Sequence, residues 1–172
     1  WLGTEPLARN KRKESFVFIG RFEARKGLGI LLQAFGRFIE SNPDAVLTVI
    51  GEVPLHFRRD IKGVNYLGNV VERETIREVL DSSNFLILPS MSEGLPTVVL
   101  EAMARGCVVL APRIGALAEV LNDINSITIE HVDPAGVEAT LHNAICLTEE
   151  RILQMRGTAV KNVSNGFTWN DI

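Results

Sequence analysis

The sequence predicts an α/β domain in three layers: a doubly wound, parallel, six-stranded sheet with helices on both faces. Three observations point there. Short, largely apolar runs at Phe16-Val17-Phe18-Ile19, Val46-Leu47-Thr48-Val49-Ile50, Phe85-Leu86-Ile87-Leu88 and Cys107-Val108-Val109-Leu110-Ala111 read as strands covered on both faces. Segments of helical periodicity alternate with them, which implies parallel strands joined by right-handed crossovers. The 172 residues, 46% hydrophobic and 23% charged, suit one soluble domain with a sizeable core.

Residues 1–14 mix Pro6 with Arg9, Lys11, Arg12 and Lys13 and read as a linker or lead-in, its basic run solvated. The first strand ends at Gly20. Leu28, Leu31, Leu32, Phe35, Phe38 and Ile39 then share one face of a helix that stops at Ser41-Asn42-Pro43. The second strand ends at Gly51, and a poorly defined segment with Pro54, His56 and two arginines leads to a third at Val64-Asn65-Tyr66-Leu67. Gly68-Asn69-Val70-Val71 turns into a helix carrying Ile76, Val79 and Leu80. The fourth strand halts at Pro89, and a helix from Thr97 closes at Gly106, a residue suited to the left-handed position after a helix. Past the fifth strand, Pro112 to Leu121 reads as a loop and short helix, and Ser126-Ile127-Thr128-Ile129 as the sixth strand. Asp133-Pro134 is a helix start, with an N-cap followed by proline at the first position. That helix buries Val137, Leu141, Ala144 and Ile145, and the next carries Ile152, Met155, Ala159 and Val163 up to Asn165-Gly166. Six strands in this order place a topological switch point between the first and the fourth, where open α/β sheets bind ligands.

A net charge of −3 points to no nucleic-acid partner, and no apolar run of about 18 residues or signal-peptide pattern occurs. Cys107 and Cys146 lie in apolar contexts and read as buried thiols of a reducing cytosol. The three histidines are scattered and no Asp-x-Asp occurs, so no metal site is expected. The first residue is not Met, from which a record beginning inside a longer protein is expected.

Two stretches carry candidate chemistry, one on each side of the switch point. After the first strand, Arg21 and Lys26 offer a planar fork and a mobile ammonium, a pair suited to a diphosphate. After the fourth, Pro89-Ser90-Met91-Ser92-Glu93-Gly94-Leu95-Pro96-Thr97 leads into the helix that holds Glu101. Glu93 sits in the loop and Glu101 one turn into the helix, seven residues between them, so both carboxylates can reach one crevice beside a helix N-terminus.

Pro-Ser, Glu-Gly-x-Pro, Glu-Ala-Met-Ala and the Glu-x7-Glu spacing form a long signature. It resembles the donor-binding half of retaining GT-B glycosyltransferases, those of glycosyltransferase family 4 (glycosyl transferases group 1) and their glycogen-synthase-like relatives. Gly20-Arg21 with Lys26-Gly27 is a second element of that pattern, and the resemblance runs from about Phe16 to the end. It implies a Rossmann-like domain, the C-terminal half of a GT-B fold, spanning 15–166. Residues 167–172, with Phe167-Thr168-Trp169, would open the closing segment towards an N-terminal domain absent from this chain.

The resemblance further implies that Gly20, Arg21 and Lys26 bind the donor phosphates, with Arg25 outside the pattern. Glu93 would face the donor sugar as the catalytic carboxylate, and Glu101 would bind the ribose. Gly94, Leu95, Pro96 and Thr97 would meet sugar and distal phosphate through their backbone, Pro96 without an N–H. Val70 would edge the base, although on residue types alone its turn is equally an ordinary strand-to-helix connection. Gly106, Gly115 and Glu119 match family positions and read as structural. Gly115-Ala116 and Gly51-Glu52-Val53-Pro54 depart from the commoner Gly-Gly and Gly-Asp/Glu-Gly-Pro.

The implied reaction moves a sugar from a nucleotide-diphosphate sugar to an acceptor glycan, lipid or small molecule, with retention and without a metal or other cofactor. The acceptor would be held by the absent domain, and the chain alone would be inactive. The location expected is cytoplasmic, any contact with the inner face of a membrane being made through that domain. Two other readings differ in class. A non-catalytic nucleotide-sugar or anion-binding module would leave the two glutamates idle. A nicotinamide-dependent dehydrogenase would use Gly27-Leu28-Gly29 and Glu52, but Leu32 stands at the third fingerprint glycine, and Gly27 lies too far beyond the strand.

Overall fold

The computed structural model describes residues 13–92, 94 and 96–166. Nearly all of the 1–14 lead-in, the 167–172 segment, Glu93 and Leu95 lie outside the described residues. The six expected strands are β1 (Ser15–Ile19), β2 (Val46–Ile50), β3 (Val64–Gly68), β4 (Phe85–Ile87), β5 (Val108–Ala111) and β6 (Ser126–Thr128). They form one sheet in the order β3-β2-β1-β4-β5-β6, every neighbouring pair parallel. The helices are α1 (Leu28–Ser41), α2 (Arg73–Ser82), α3 (Thr97–Ala104), α4 (Leu117–Val120), α5 (Pro134–Cys146) and α6 (Glu149–Gly166).

From β1 the chain moves outward one way to β2, and from β4 the other way to β5. With right-handed crossovers this puts α1 and α3 on opposite faces. α5 packs on α1, and α6 packs on α3 and β5, which completes the three layers. The two-sided cover explains the apolar runs: β4 and β5 are buried at every position. At the centre Phe16 stacks on Phe85 with ring centroids 5.2 Å apart and meets Phe38 edge-on at 5.8 Å. Such contacts add about 0.5–1.5 kcal/mol each beyond area burial.

Local chemistry sets the element ends. The Asp133 carboxylate accepts from the Gly136 N–H at 2.8 Å, with Pro134 at the first helical position. At the far end of α3, Gly106 turns the chain with φ 66. Around that turn Arg105 grips Asp81 of α2 through two bonds of 2.7 and 2.5 Å, and buried Arg156 of α6 donates Nε–H to the Gly106 carbonyl at 2.9 Å. Cations at a helix C-terminus complement its dipole.

Three readings need correction. Cys146 is exposed, because the last turn of α5 rotates it off the packed face, whereas Cys107 is buried with its thiol directed at the Leu80 and Ser83 carbonyls. Ile145 is only half-buried, at the margin of that same face. Between β2 and β3 the undefined segment is ordered by a short 3-10 turn, Leu55–Phe57. Arg58 Nε–H donates there to the Val53 carbonyl at 3.1 Å, and Phe57 meets Phe22 edge-on at 4.7 Å.

Candidate functional site

β1 and β4 are neighbours, Phe16 opposite Phe85, yet their following loops leave in opposite directions. The β1–α1 loop and the β4–α3 connection therefore flank the switch point. Their bases are pressed together. Gly27 sits at φ 72, and a Cβ on it would lie 2.0 Å from the Pro89 carbonyl oxygen, so only glycine fits. The Met91 N–H donates to the Arg25 carbonyl at 2.8 Å, and Arg25 Nη1–H to the Ser92 carbonyl at 3.2 Å. A second close approach joins the ends of β1 and β2. Gly51, at φ 146, leaves no room for a Cβ against the Gly20 carbonyl, and its N–H donates to the Gly68 carbonyl at 2.8 Å.

At the carboxyl ends of β1, β2 and β3 the Gly20–Gly51 approach lies in the wall of an open cavity of about 970 Å³. Gly20, Arg21, Glu52, Arg58, Asn69 and Val70 contribute to its wall. The structure thus brings together two of the expected phosphate-contacting positions and the expected base-edge position, 49 residues apart in sequence for Arg21 and Val70. Arg21 is 81% exposed at its side chain, and its Nε lies 3.0 Å from the Glu23 carboxylate. The other Glu23 oxygen holds Arg25 Nε at 2.7 Å. Glu23 is therefore the pivot of an Arg-Glu-Arg chain along the loop.

Lys26 closes a 3-10 turn, Ala24–Lys26, and is half-buried. Lys26, Gly94, Pro96, Thr97 and Glu101 lie outside the wall of the large cavity, on the switch-point side of it. Pro96 is the N-cap of α3 and has no side-chain acceptor, and exposed Thr97 begins the helix. Glu101 is half-buried one turn in. Burial pushes its carboxyl above the usual carboxylate range, and the Arg73 guanidinium at the start of α2 offsets part of the rise.

Sequence reasoning set Arg25 aside and gave Glu23 no role. The structure makes Arg25 a tie between the two loops, and Glu23 holds Arg25 by its Nε from within the β1–α1 loop. The only trace in the sequence is the alternation Arg21-x-Glu23-x-Arg25. Arg58 and Glu52 were likewise not singled out for the cavity. Among the described residues, no three His, Cys, Asp or Glu side chains cluster as a metal site, and no helix is long and apolar enough to cross a membrane.

The profile of the family described as Glycosyl transferases group 1 matches residues 13–146. An Escherichia coli relative, a UDP-Gal:α-D-GlcNAc-diphosphoundecaprenol α-1,3-galactosyltransferase, is 27% identical over 91% of this chain and 43% of its own length. Among solved structures, the C-terminal domain of a Francisella tularensis glycosyl transferase group 1 family protein (LpcC) superposes with a TM-score of 0.79 at 22% identity, covering 92% of this chain and 88% of that one. A variant of S. aureus TarM in complex with fondaparinux, α-GlcNAc-glycerol and UDP gives 0.81 at 15% identity, over 95% of this chain and 34% of that one. The chain spans 30–43% of the length of curated relatives it matches. With the profile covering most of the chain and the fold matching a C-terminal domain of that kind, this protein belongs to the glycosyl transferases group 1 family and has the fold of a GT-B C-terminal domain.

Proposed function

We propose that this chain is the donor half of a retaining, metal-independent glycosyltransferase, with residues 15–166 as the nucleotide-sugar domain, 1–14 as lead-in and 167–172 starting the return towards a companion domain. The observation that carries the reading is the switch point. Its two loops are locked together at Gly27 and Pro89, while Gly20, Arg21 and Val70 wall one cavity and Glu101, one turn into α3, feels the charge of Arg73 at the start of α2. A nucleoside diphosphate laid from that cavity to the start of α3 would meet the residues assigned to base, phosphates and ribose. The relatives' lengths and the UDP in the TarM structure's name support both the two-domain whole and this ligand class.

On this reading the leaving group is a nucleoside diphosphate, and the main task is stabilising its charge. Arg21, Lys26 and the N-terminus of α3 would do so with fixed positive potential, without a metal ion. Glu101 would accept from ribose hydroxyls. Glu93 would orient the sugar and favour an oxocarbenium-like state, with Gly94, Leu95, Pro96 and Thr97 presenting backbone to sugar and distal phosphate. The acceptor, a glycan, lipid or small molecule, would come from the companion domain.

Calorimetry with UDP, GDP and ADP, each with and without Mg²⁺, tests this. One diphosphate should bind with a Kd of about 10 μM to 1 mM, unchanged by EDTA. Lys26→Ala should weaken it by about 1.5–3 kcal/mol, the scale of one charge-assisted bond, with the bare nucleoside barely affected. Equal losses for both ligands would refute the phosphate role.

A further inference from the structure

The buried hydroxyls of this domain follow one rule and break it once. Among the described residues, Ser15 Oγ accepts from the Asn84 N–H at 2.9 Å, and Ser83, Ser126 and Thr140 each donate to a carbonyl at 2.8 Å. Ser90 is fully buried at 0% exposure, and its Oγ has no hydrogen-bond partner among those residues. An unmet buried hydroxyl is unfavourable, and such departures from the local rules occur at functional or strained sites.

Its position is the seam between the two switch-point loops. On one side the Pro89 carbonyl is pressed against Gly27, and on the other the Met91 N–H is bonded to the Arg25 carbonyl. The Ser92 carbonyl accepts in turn from Arg25. Clamped on both flanks, the backbone cannot swing the hydroxyl out to solvent. An alanine would occupy the same space without the unmet group, so packing alone gives no reason for a serine here.

The structure points to Ser90 as a positioning residue for the donor. Its hydroxyl gains a partner, a backbone carbonyl of the β1–α1 loop, when a diphosphate reorders that loop beyond its fixed base at Arg25 and Gly27, and so ties the shape of the loop to donor occupancy. This rests on the donor reading above.

The test pairs Ser90→Ala with near-isosteric Ser90→Cys, and measures two properties of this chain: its urea midpoint, and its affinity for whichever of UDP, GDP and ADP the wild type binds most tightly. Both variants should unfold at the same or a higher urea concentration, because an unmet hydroxyl has been removed. Diphosphate affinity should nevertheless fall about three- to tenfold, the net worth of one hydrogen bond, with bare nucleoside binding unchanged. A merely structural serine cannot give these opposite signs. Loss of stability in both variants would show the hydroxyl already paired in the free domain and overturn the proposal. Unchanged diphosphate affinity beside intact wild-type binding would overturn it while leaving the donor reading standing. A wild type that binds no diphosphate would overturn both.

Discussion

Gly27→Ala should unlock the switch point, and the structure sets the size of the effect. Gly27 adopts φ 72, ψ 15, a left-handed conformation that an L-residue holds at a cost of about 1–2 kcal/mol. Its new Cβ would sit 2.0 Å from the Pro89 carbonyl oxygen. That obstacle is backbone and cannot rotate away, so the loops must part by well over 1 Å to restore ordinary contact, with a further overpacking cost of about 1–3 kcal/mol. Parting them also stretches the Met91–Arg25 hydrogen bond, whose flanking residues are the ones displaced. The expected loss is about 3–5 kcal/mol in urea unfolding, with diphosphate binding weakened at least tenfold. Gly29→Ala is the control. Gly29 lies two residues on, exposed in α1, where an added Cβ would meet nothing within 4 Å, and the change should gain about 0.5–1 kcal/mol from helix propensity. A Gly27→Ala loss under about 1 kcal/mol with unchanged binding would refute the claim that this contact holds the two loops together.

Two further perturbations probe other parts of the domain. Asp81→Asn leaves Arg105, only 14% exposed at its side chain, without its anion, and should lose about 3–5 kcal/mol. Adding Arg105→Met should recover part of this, and because the pair sits at the opposite end of α3 from the switch point, diphosphate affinity should not change in either variant. Glu101 supplies a pH test. Its folded carboxyl is raised by burial, with Arg73 opposing, so its contribution to stability is fully present below the unfolded carboxylate range and lost as pH rises through the raised folded value. Glu101→Gln should flatten that fall in a urea titration across pH. Binding of the nucleoside should strengthen over the same rise in the wild type, since ribose hydroxyls donate to the ionised form, and lose this pH dependence in the variant. A Gln variant that keeps the wild-type profile would remove Glu101 from the ribose site.

What the sequence determined by itself is the periodic and the local. Continuous apolar runs specify strands covered on both faces, and their alternation with helices specifies a parallel sheet with β1 beside β4. Asp133-Pro134 and the glycine after α3 mark helix ends because capping involves only residues a few positions apart. The candidate residues were legible as motifs; of those described, Gly20, Arg21 and Lys26 follow β1, Gly94, Pro96, Thr97 and Glu101 follow β4, and Val70 follows β3 at the sheet edge. Tertiary structure decided what depends on residues far apart in the chain. Arg25 reads as a spare base until its guanidinium meets the Ser92 carbonyl, 67 positions away. Glu101 acquires its raised carboxyl only when packing half-buries it, with Arg73 of α2 opposing the rise. The orphan hydroxyl of Ser90 exists only because Gly27 and Met91 clamp the backbone on either side of it. Periodicity records which face of an element meets the core. It does not record which polar atom on that face finds a partner, because the partner comes from another element, and its distance is set only when all three layers have packed.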